Sequence, residues 1–245
     1  NNTELISPKD TLNYLQFRPL EGFIFAVTPF NFTSIAANLP SAPTLMGNVA
    51  IWKPASSSVY SGYFLMNLFK EAGFPDGVIN FIPGKGSEVG NIVIENENLA
   101  GVHFTGSTEV FQSMWKKIGL NINKYKTYPR IVGETGGKDF ILAHKSSNVE
   151  ALSTAMVRGA FEYQGQKCSA ASRCYIPKSI WLDVKELYLK QVSTIKMGDV
   201  NDFRNFINAV IDENSFDRIA KYIDYAKDSD ECEIITGGNY DKSIG

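Results

Sequence analysis

The stretch "GFIFAVTPFNFTSIAANLPSAPTLMGNVAIWKP", residues 22–54, carries the information that decides the fold. "GFIFAVT" (22–28) is a short apolar run bounded by glycine and proline, the pattern of a buried strand. "SIAANLPSAPTLMG" then reads as a helix, which Pro40 and Pro43 are expected to bend or split because each removes a backbone N–H. "VAIWKP" returns as a second apolar run. A strand, a helix and another strand, with no polar alternation in either strand, predict parallel strands covered on both faces.

The rhythm continues outward. "SSVYSGYFLMNLFKEAGF" reads as a helix with serines at its start and Gly73 at its end. "GVINFIPG", "SEVGNIVIENE", "AGVHFTGS" and "TEVFQSMWKKIGL" follow as strand, helix, strand and amphipathic helix. The expected architecture is α/β, a Rossmann-like doubly wound parallel sheet. After about residue 125 the pattern shifts and a second α/β unit begins. "RIVGETGGKDFILAH" reads as two strand-like runs around a glycine-rich turn, "NVEALSTAMVRGAFEY" as a helix, and "SRCYIP" as a strand. "SIWLDVKELYLKQVSTIK" and "SFDRIAKYIDYAKD" are read as helices, "AVID" and "ECEIITGG" as strands. The second unit looks cut off at its end.

Composition excludes several classes. The 245 residues are 44% apolar and 20% charged with net charge −2, and no Lys/Arg run supplies a nucleic-acid or membrane-surface footprint. No apolar stretch approaches the roughly 20 residues of a spanning helix. The start "NNTELISPKD" is neither a signal nor a transit peptide. Cys168, Cys174 and Cys232 form no CxxC, and His103 and His144 lie far from them, which argues for a reducing compartment and against a metal site. Both histidines read as strand filler or surface; Cys174 and Cys232 read as packing.

"FEYQGQKCSA" (161–170) leaves two readings of Cys168 open: a small buried hydrophobe, or a nucleophile favoured by Gly165 and by the charge of Lys167. Phosphate signals are individually weak. The first strand-to-helix turn lacks GxGxxG, and "PGKGSEVG" (83–90) offers Gly84, Gly86 and Gly90 at a wider spacing before a helix start. Lys53 closes a strand at the carboxyl edge of the sheet, where α/β proteins bind ligands.

The ordered set "TPFN", "WKP", "FTGS", "GETGGK" and "GQKC" resembles the aldehyde dehydrogenase superfamily, and the 34 residues from Glu134 to Cys168 match that family's interval. The likeness covers nearly the whole chain. It implies a cofactor domain over 1–133 and the N-terminal part of a cysteine-bearing catalytic domain over 134–245. It also implies Cys168 as nucleophile, Asn31 as oxyanion donor together with the backbone N–H of Cys168, and Glu134 as the group that activates water. NAD, or NADP, would be held by Thr28, Pro29, Phe30, Lys53, Ser56, Gly84, Gly86, Gly90, Thr105, Gly106 and Ser107. Ser56 stands where NAD-specific relatives place an acid, which leaves the choice between the two cofactors open.

A narrower likeness in "EGFIFAVTPFNFTSIAANLP", "YPRIVGETGGKDF" and "AFEYQGQKCSAASRCYIP" is to the branch that oxidises glutamate-γ-semialdehyde to glutamate in proline catabolism. It implies substrate contacts from Phe32, Lys167 and Ser169, and a loop around Glu134 steadied by Lys138 and made mobile by Gly133, Gly136 and Gly137. It further implies a homo-oligomer, in the mitochondrial matrix of a eukaryote or the cytoplasm of a bacterium. Family members carry further segments on both sides of these motifs. Two rival readings therefore stand beside this one: a dehydrogenase or acyl-transferring relative for another short aldehyde, and a nucleotide-binding fragment without turnover.

Overall fold

The computed structural model describes residues 5–243; the first four residues of the opening stretch lie outside them. The chain divides into two compact units, Asn1–Thr135 and Gly136–Gly245.

In the first unit, β1 (Phe23–Val27), β2 (Val49–Lys53), β3 (Ile79–Phe81), β4 (Leu99–Gly106) and β5 (Arg130–Thr135) form one sheet in the order β3-β2-β1-β4-β5. Every pairing is parallel. The doubly wound sheet expected from the alternation is therefore present. Strand order reverses between β1 and β4, so the switch point, where such sheets bind ligands, lies beside the carboxyl ends of these two strands.

The helices are α1 (Thr33–Leu45), α2 (Val59–Glu71), α3 (Gly86–Ile94) and α4 (Thr108–Leu120). Side chains alternate across the sheet. Phe25 joins Val93, Ile94, Leu99, Val102, Phe104, Met114 and Ile118 on the face of α3 and α4. Ala26 joins Ala36, Leu39, Trp52 and Ile79 on the face of α1 and α2. Apolar residues in both phases of the strand period are what two covered faces require.

α1 is not split at its prolines. It runs unbroken through Pro40 and Pro43. Pro43 deletes the N–H that the Leu39 carbonyl would accept, and His103 Nδ1 from β4 lies 3.0 Å from that oxygen. The tautomer with Nδ1 protonated donates to it. Asn48 Nδ2 donates to the Pro43 carbonyl at 2.8 Å, and Thr44 Oγ1 to those of Pro40 and Ser41. His103 thus stitches a sheet strand to the helix that covers it.

The second unit contains β6 (Asp139–Leu142), α5 (Val149–Phe161), β7 (Ala171–Tyr175), α6 (Lys178–Val192) and α7 (Glu213–Asp228). β6 and β7 pair in parallel as a two-stranded sheet. Leu152, Met156 and Val184 form its core with Ile141, Ile176, Trp181 and Tyr188. The two runs of "RIVGETGGKDFILAH" therefore enter different sheets. "AVID" and "ECEIITGG" form no strand, because neither finds a ladder to join; residues 209–212 and 231–238 are irregular. Cys174 and Cys232 are exposed rather than packed, and the Cys232 thiol donates to the Ala226 carbonyl at 3.2 Å.

No described helix is long and apolar enough to cross a membrane. No cluster of His, Cys, Asp or Glu among the described residues could hold a metal ion.

Candidate functional site

Parallel strands bring their carboxyl ends to one edge, and that edge collects most of the candidate residues of the first unit. Thr28 through Phe32 follow β1, Lys53 ends β2, Gly84 and Gly86 follow β3, Thr105 and Gly106 end β4, and Glu134 lies near the end of β5. Glu134 sits directly opposite Thr105 in the ladder.

Several of these positions are fixed by their own chemistry. The Trp52 indole N–H donates to Thr28 Oγ1 at 2.9 Å, which fixes the side chain that opens the first strand-to-helix turn. The N-cap of α1 is Phe32, so Asn31 stands one position outside the helix, with its Oδ1 shut off from solvent. Ser107 is the N-cap of α4 and accepts from the Val110 N–H at 3.3 Å. Gly133 is needed for packing: a Cβ there would lie 2.2 Å from the Phe111 ring. Glu134 therefore lies in a paired strand, one residue after a glycine whose Cβ position the Phe111 ring occupies.

Lys53 is the most unusual of the set. It is only 6% exposed, and burial holds its ammonium below the ordinary lysine range. Nζ donates to the Pro54 carbonyl at 2.8 Å, one of the three hydrogen bonds an ammonium can give. It also lies 3.8 Å from where a Cβ on Gly86, the first residue of α3, would sit. Ser56 Oγ reaches toward the Gly84 carbonyl at the long distance of 3.5 Å. Lys53, Ser56, Gly84 and Gly86 thus meet at the start of one helix, whose N–H groups and dipole favour an anion or a ribose diol. Gly90 has open space around its α-carbon and is under no such constraint. A dinucleotide fits this donor set.

The second unit carries the thiol. Cys168 is half-buried and occupies the second position of a turn in which the Ala170 N–H reaches the Lys167 carbonyl at 3.4 Å. Ser169, the next residue of that turn, is exposed. Within the second unit, a Cβ on Gly137 would come within 3.2 Å of the Cys168 carbonyl oxygen, so the backbone of that glycine lies close against the turn that carries the thiol. Lys138 is anchored through its carbonyl, which accepts from Arg173 on β7 at 2.8 Å.

Lys167 is not a free charge beside the thiol. Its Nζ is 2.8 Å from Glu162, which also pairs with Arg158. The hydrogen bond from Lys167, then that from Arg158, hold the Glu162 carboxyl below its usual range. Two cations against one anion still leave a net positive group in the segment that leads to Cys168. Sequence reasoning passed over Glu162, Gln164, Gln166 and Arg173. Gly165 and Lys167 gave signals, and the i,i+4 spacing of Arg158 and Glu162 could have given another; the partners of Gln164, Gln166 and Arg173 lie on backbone 35 to 45 residues away.

A model of the aldehyde dehydrogenase family matches residues 1–245. The mitochondrial delta-1-pyrroline-5-carboxylate dehydrogenase of Dictyostelium discoideum is 53% identical over 95% of this chain and 42% of its own length. The corresponding human protein is 44% identical over 98% of this chain and 43% of its own length. Among solved structures, the delta-pyrroline-5-carboxylate dehydrogenase of Mycobacterium tuberculosis bound with NAD gives a TM-score of 0.94 at 46% identity, covering 98% of this chain and 45% of that one. The Thermus 1-pyrroline-5-carboxylate dehydrogenase with bound NAD gives 0.86 at 30% identity, over 92% and 43%. The chain spans less than half the length of each of these relatives.

Proposed function

The chain belongs to the aldehyde dehydrogenase family, and from that premise we propose that it is part of an enzyme that oxidises glutamate-γ-semialdehyde to glutamate with NAD. The observation that carries this reading is the 53% identity, over 95% of the chain, to a protein named for that substrate's cyclic form. The buried Lys53 at the glycine-rich start of α3 supports the cofactor.

An unshifted thiol is only about 3% thiolate at pH 7, so Cys168 benefits from the net positive Arg158–Glu162–Lys167 group in its segment. Its thiolate forms the C–S bond with the aldehyde carbon, and the carbonyl oxygen takes the negative charge. The Asn31 carboxamide and the Cys168 backbone N–H donate to that oxygen; one such donor is worth roughly 3 to 4 kcal/mol of barrier. Bound NAD supplies the hydride acceptor. Once the carbon has lost hydride it is a thioester on Cys168, and Glu134 takes a proton from the water that attacks it. Glutamate leaves, and the Cys168 thiolate is restored. Phe32 and Ser169 are assigned to the substrate chain and its carboxylate.

A net charge of −2 without basic runs supports a small-molecule substrate rather than nucleic acid or membrane. The relatives named mitochondrial support a mitochondrial setting, which we assign to the matrix, for a eukaryotic source; for a bacterial source the same reading assigns the cytoplasm. Assembly into homo-oligomers goes with the same reading.

The test uses the full-length protein. NAD reduction should be faster with glutamate-γ-semialdehyde than with propanal, lost in Cys168→Ser, and retained in Cys174→Ser and Cys232→Ser. Glu134→Gln should give a burst near one reduced cofactor per site and then stall. Equal rates on the two aldehydes would sink the substrate assignment, and a Cys174→Ser enzyme as inactive as Cys168→Ser would sink the nucleophile.

A further inference from the structure

The segment that delivers Cys168 is held in a conformation that its own residues do not favour. Tyr163, Gln164 and Gly165 follow one another in the left-handed region, at φ +54°, +56° and +67°. Only glycine visits that region at little cost, and two successive larger residues persist there when their surroundings over-determine them. Gly165 has no substitute, because a Cβ on it would lie 2.8 Å from the Ala160 carbonyl oxygen.

The surroundings that hold the turn come from 45 residues further on. Gln164 Nε2 donates to the Ala209 carbonyl at 3.0 Å, and Gln166 Oε1 accepts from the Ile211 N–H at 2.9 Å. The Gln166 backbone N–H and its Nε2 both point back to the Tyr163 carbonyl, at 2.9 and 3.4 Å. Lys167 N–H closes onto the Gly165 carbonyl at 2.9 Å, and the Cys168 turn starts from there. Residues 209–211 have no ladder of their own, so the two glutamines also supply their backbone with partners. Turn and strap fix each other, and the strap runs straight into α7 through the Asp212 cap.

We propose that Gln164 and Gln166 are positioning residues for Cys168: their carboxamides lock the left-handed turn before the thiol to the backbone of Ala209 and Ile211. The proposal rests on the reading of Cys168 as nucleophile. A thiol displaced by even about 1 Å from its line of attack loses rate steeply. The bonds lie in the chain's own backbone and side chains, so they act before any aldehyde binds.

Gln164→Met and Gln166→Met keep the length of each side chain and remove the donor or the acceptor. In the full-length enzyme, each should slow the burst of reduced NAD by about tenfold or more while leaving the KM for NAD within about twofold. Iodoacetamide labelling of Cys168, resolved by peptide mass and read above the pH at which the thiol titrates, should change in parallel. Gln164→Lys, which restores a donor, should recover most of the loss. A purely structural role would lower the melting temperature without altering burst or labelling in the folded variant, and that result would overturn the proposal. If a Met variant does not fold, hydrogen exchange in the parent decides: the Ile211 amide must be protected, and exchange at the rate of an open loop would overturn it. Labelling needs neither aldehyde nor cofactor. A parent that oxidises no aldehyde, yet shows the labelling change in its variants, would refute the proposed activity and leave the positioning role standing.

Discussion

Asn31 and Lys53 are small features with large consequences, and each poses a choice between stability and chemistry. An asparagine after a strand and before a helix is a natural cap, and losing a cap costs roughly 1 kcal/mol. Here the cap position belongs to Phe32, whose carbonyl already accepts the Ala36 N–H at 3.0 Å. Asn31→Ala in the full-length enzyme should therefore cut turnover about 100- to 1000-fold with little change in melting temperature. A drop of several degrees with most activity kept would return Asn31 to a capping role. Aspartate is the poorer probe, because Oδ1 is shut off from water and a carboxylate there would lose its hydration. Lys53 works in the opposite sense. Burial lowers its pKa, so the unfolded chain binds more protons between the folded pKa and the ordinary value of 10.5. Its burial penalty is present in full below that window and vanishes as pH rises through it. Stability should rise with pH there, by an amount missing from Lys53→Met in paired denaturation curves. The same substitution should weaken NAD binding about tenfold or more, the worth of a charge-assisted hydrogen bond. Unchanged NAD affinity by titration calorimetry would remove Lys53 from the cofactor site.

Elements show where local sequence is a good guide and where it is not. The parallel strands were legible because burial on both faces leaves an apolar signature within a few residues. The candidate edge was legible for the same reason, since each motif directly follows such a strand. The continuity of α1 was not legible because the group that repairs Pro43 lies on β4, 64 residues away from Leu39. No helical periodicity contains that information. "AVID" was misread as a strand because apolar content says nothing about the availability of a ladder; its backbone bonds go to Gln164 and Gln166 instead. The packing beside Glu134 was not legible either, because Gly133 gives no hint of the Phe111 ring against its α-carbon. The α1 repair can be measured. His103→Phe should cost about 1 to 3 kcal/mol, the penalty for a buried carbonyl left without a donor. Pro43→Ala restores the helix N–H, so the same His103 substitution made on that background should cost much less. A double-mutant cycle by urea denaturation checks this, and additive costs would show that His103 does not serve the Leu39 carbonyl.

At the scale of the whole molecule, the two units are unequal in what they bury. Among the described residues, sixteen buried apolar residues lie in 5–135, from Ile24 to Ile118, and only four lie in 136–243: Leu152, Met156, Val157 and Val184. The first unit has a five-stranded sheet covered on both faces, while the second has two paired strands. Phe140, Leu142 and Tyr175 on those two strands are 58%, 73% and 50% exposed. Hydrophobic burial is the main favourable term in folding, and a two-stranded sheet is marginal without extensive cover. The polar clamps around Cys168 cannot offset this, since a net hydrogen bond contributes only about 1 kcal/mol. The 245-residue chain should therefore lose structure in two steps as urea rises. Pulsed hydrogen exchange read by peptide mass spectrometry separates them: peptides from β6, β7, α5 and α6 should lose protection at lower urea than peptides from β1, β2 and β4. NAD should move the second step to higher urea and leave the first nearly where it was, because the Lys53 site belongs to the first unit. Simultaneous loss of protection across both units, with NAD shifting all peptides together, would mean that the chain unfolds as one cooperative body and that the two cores depend on each other.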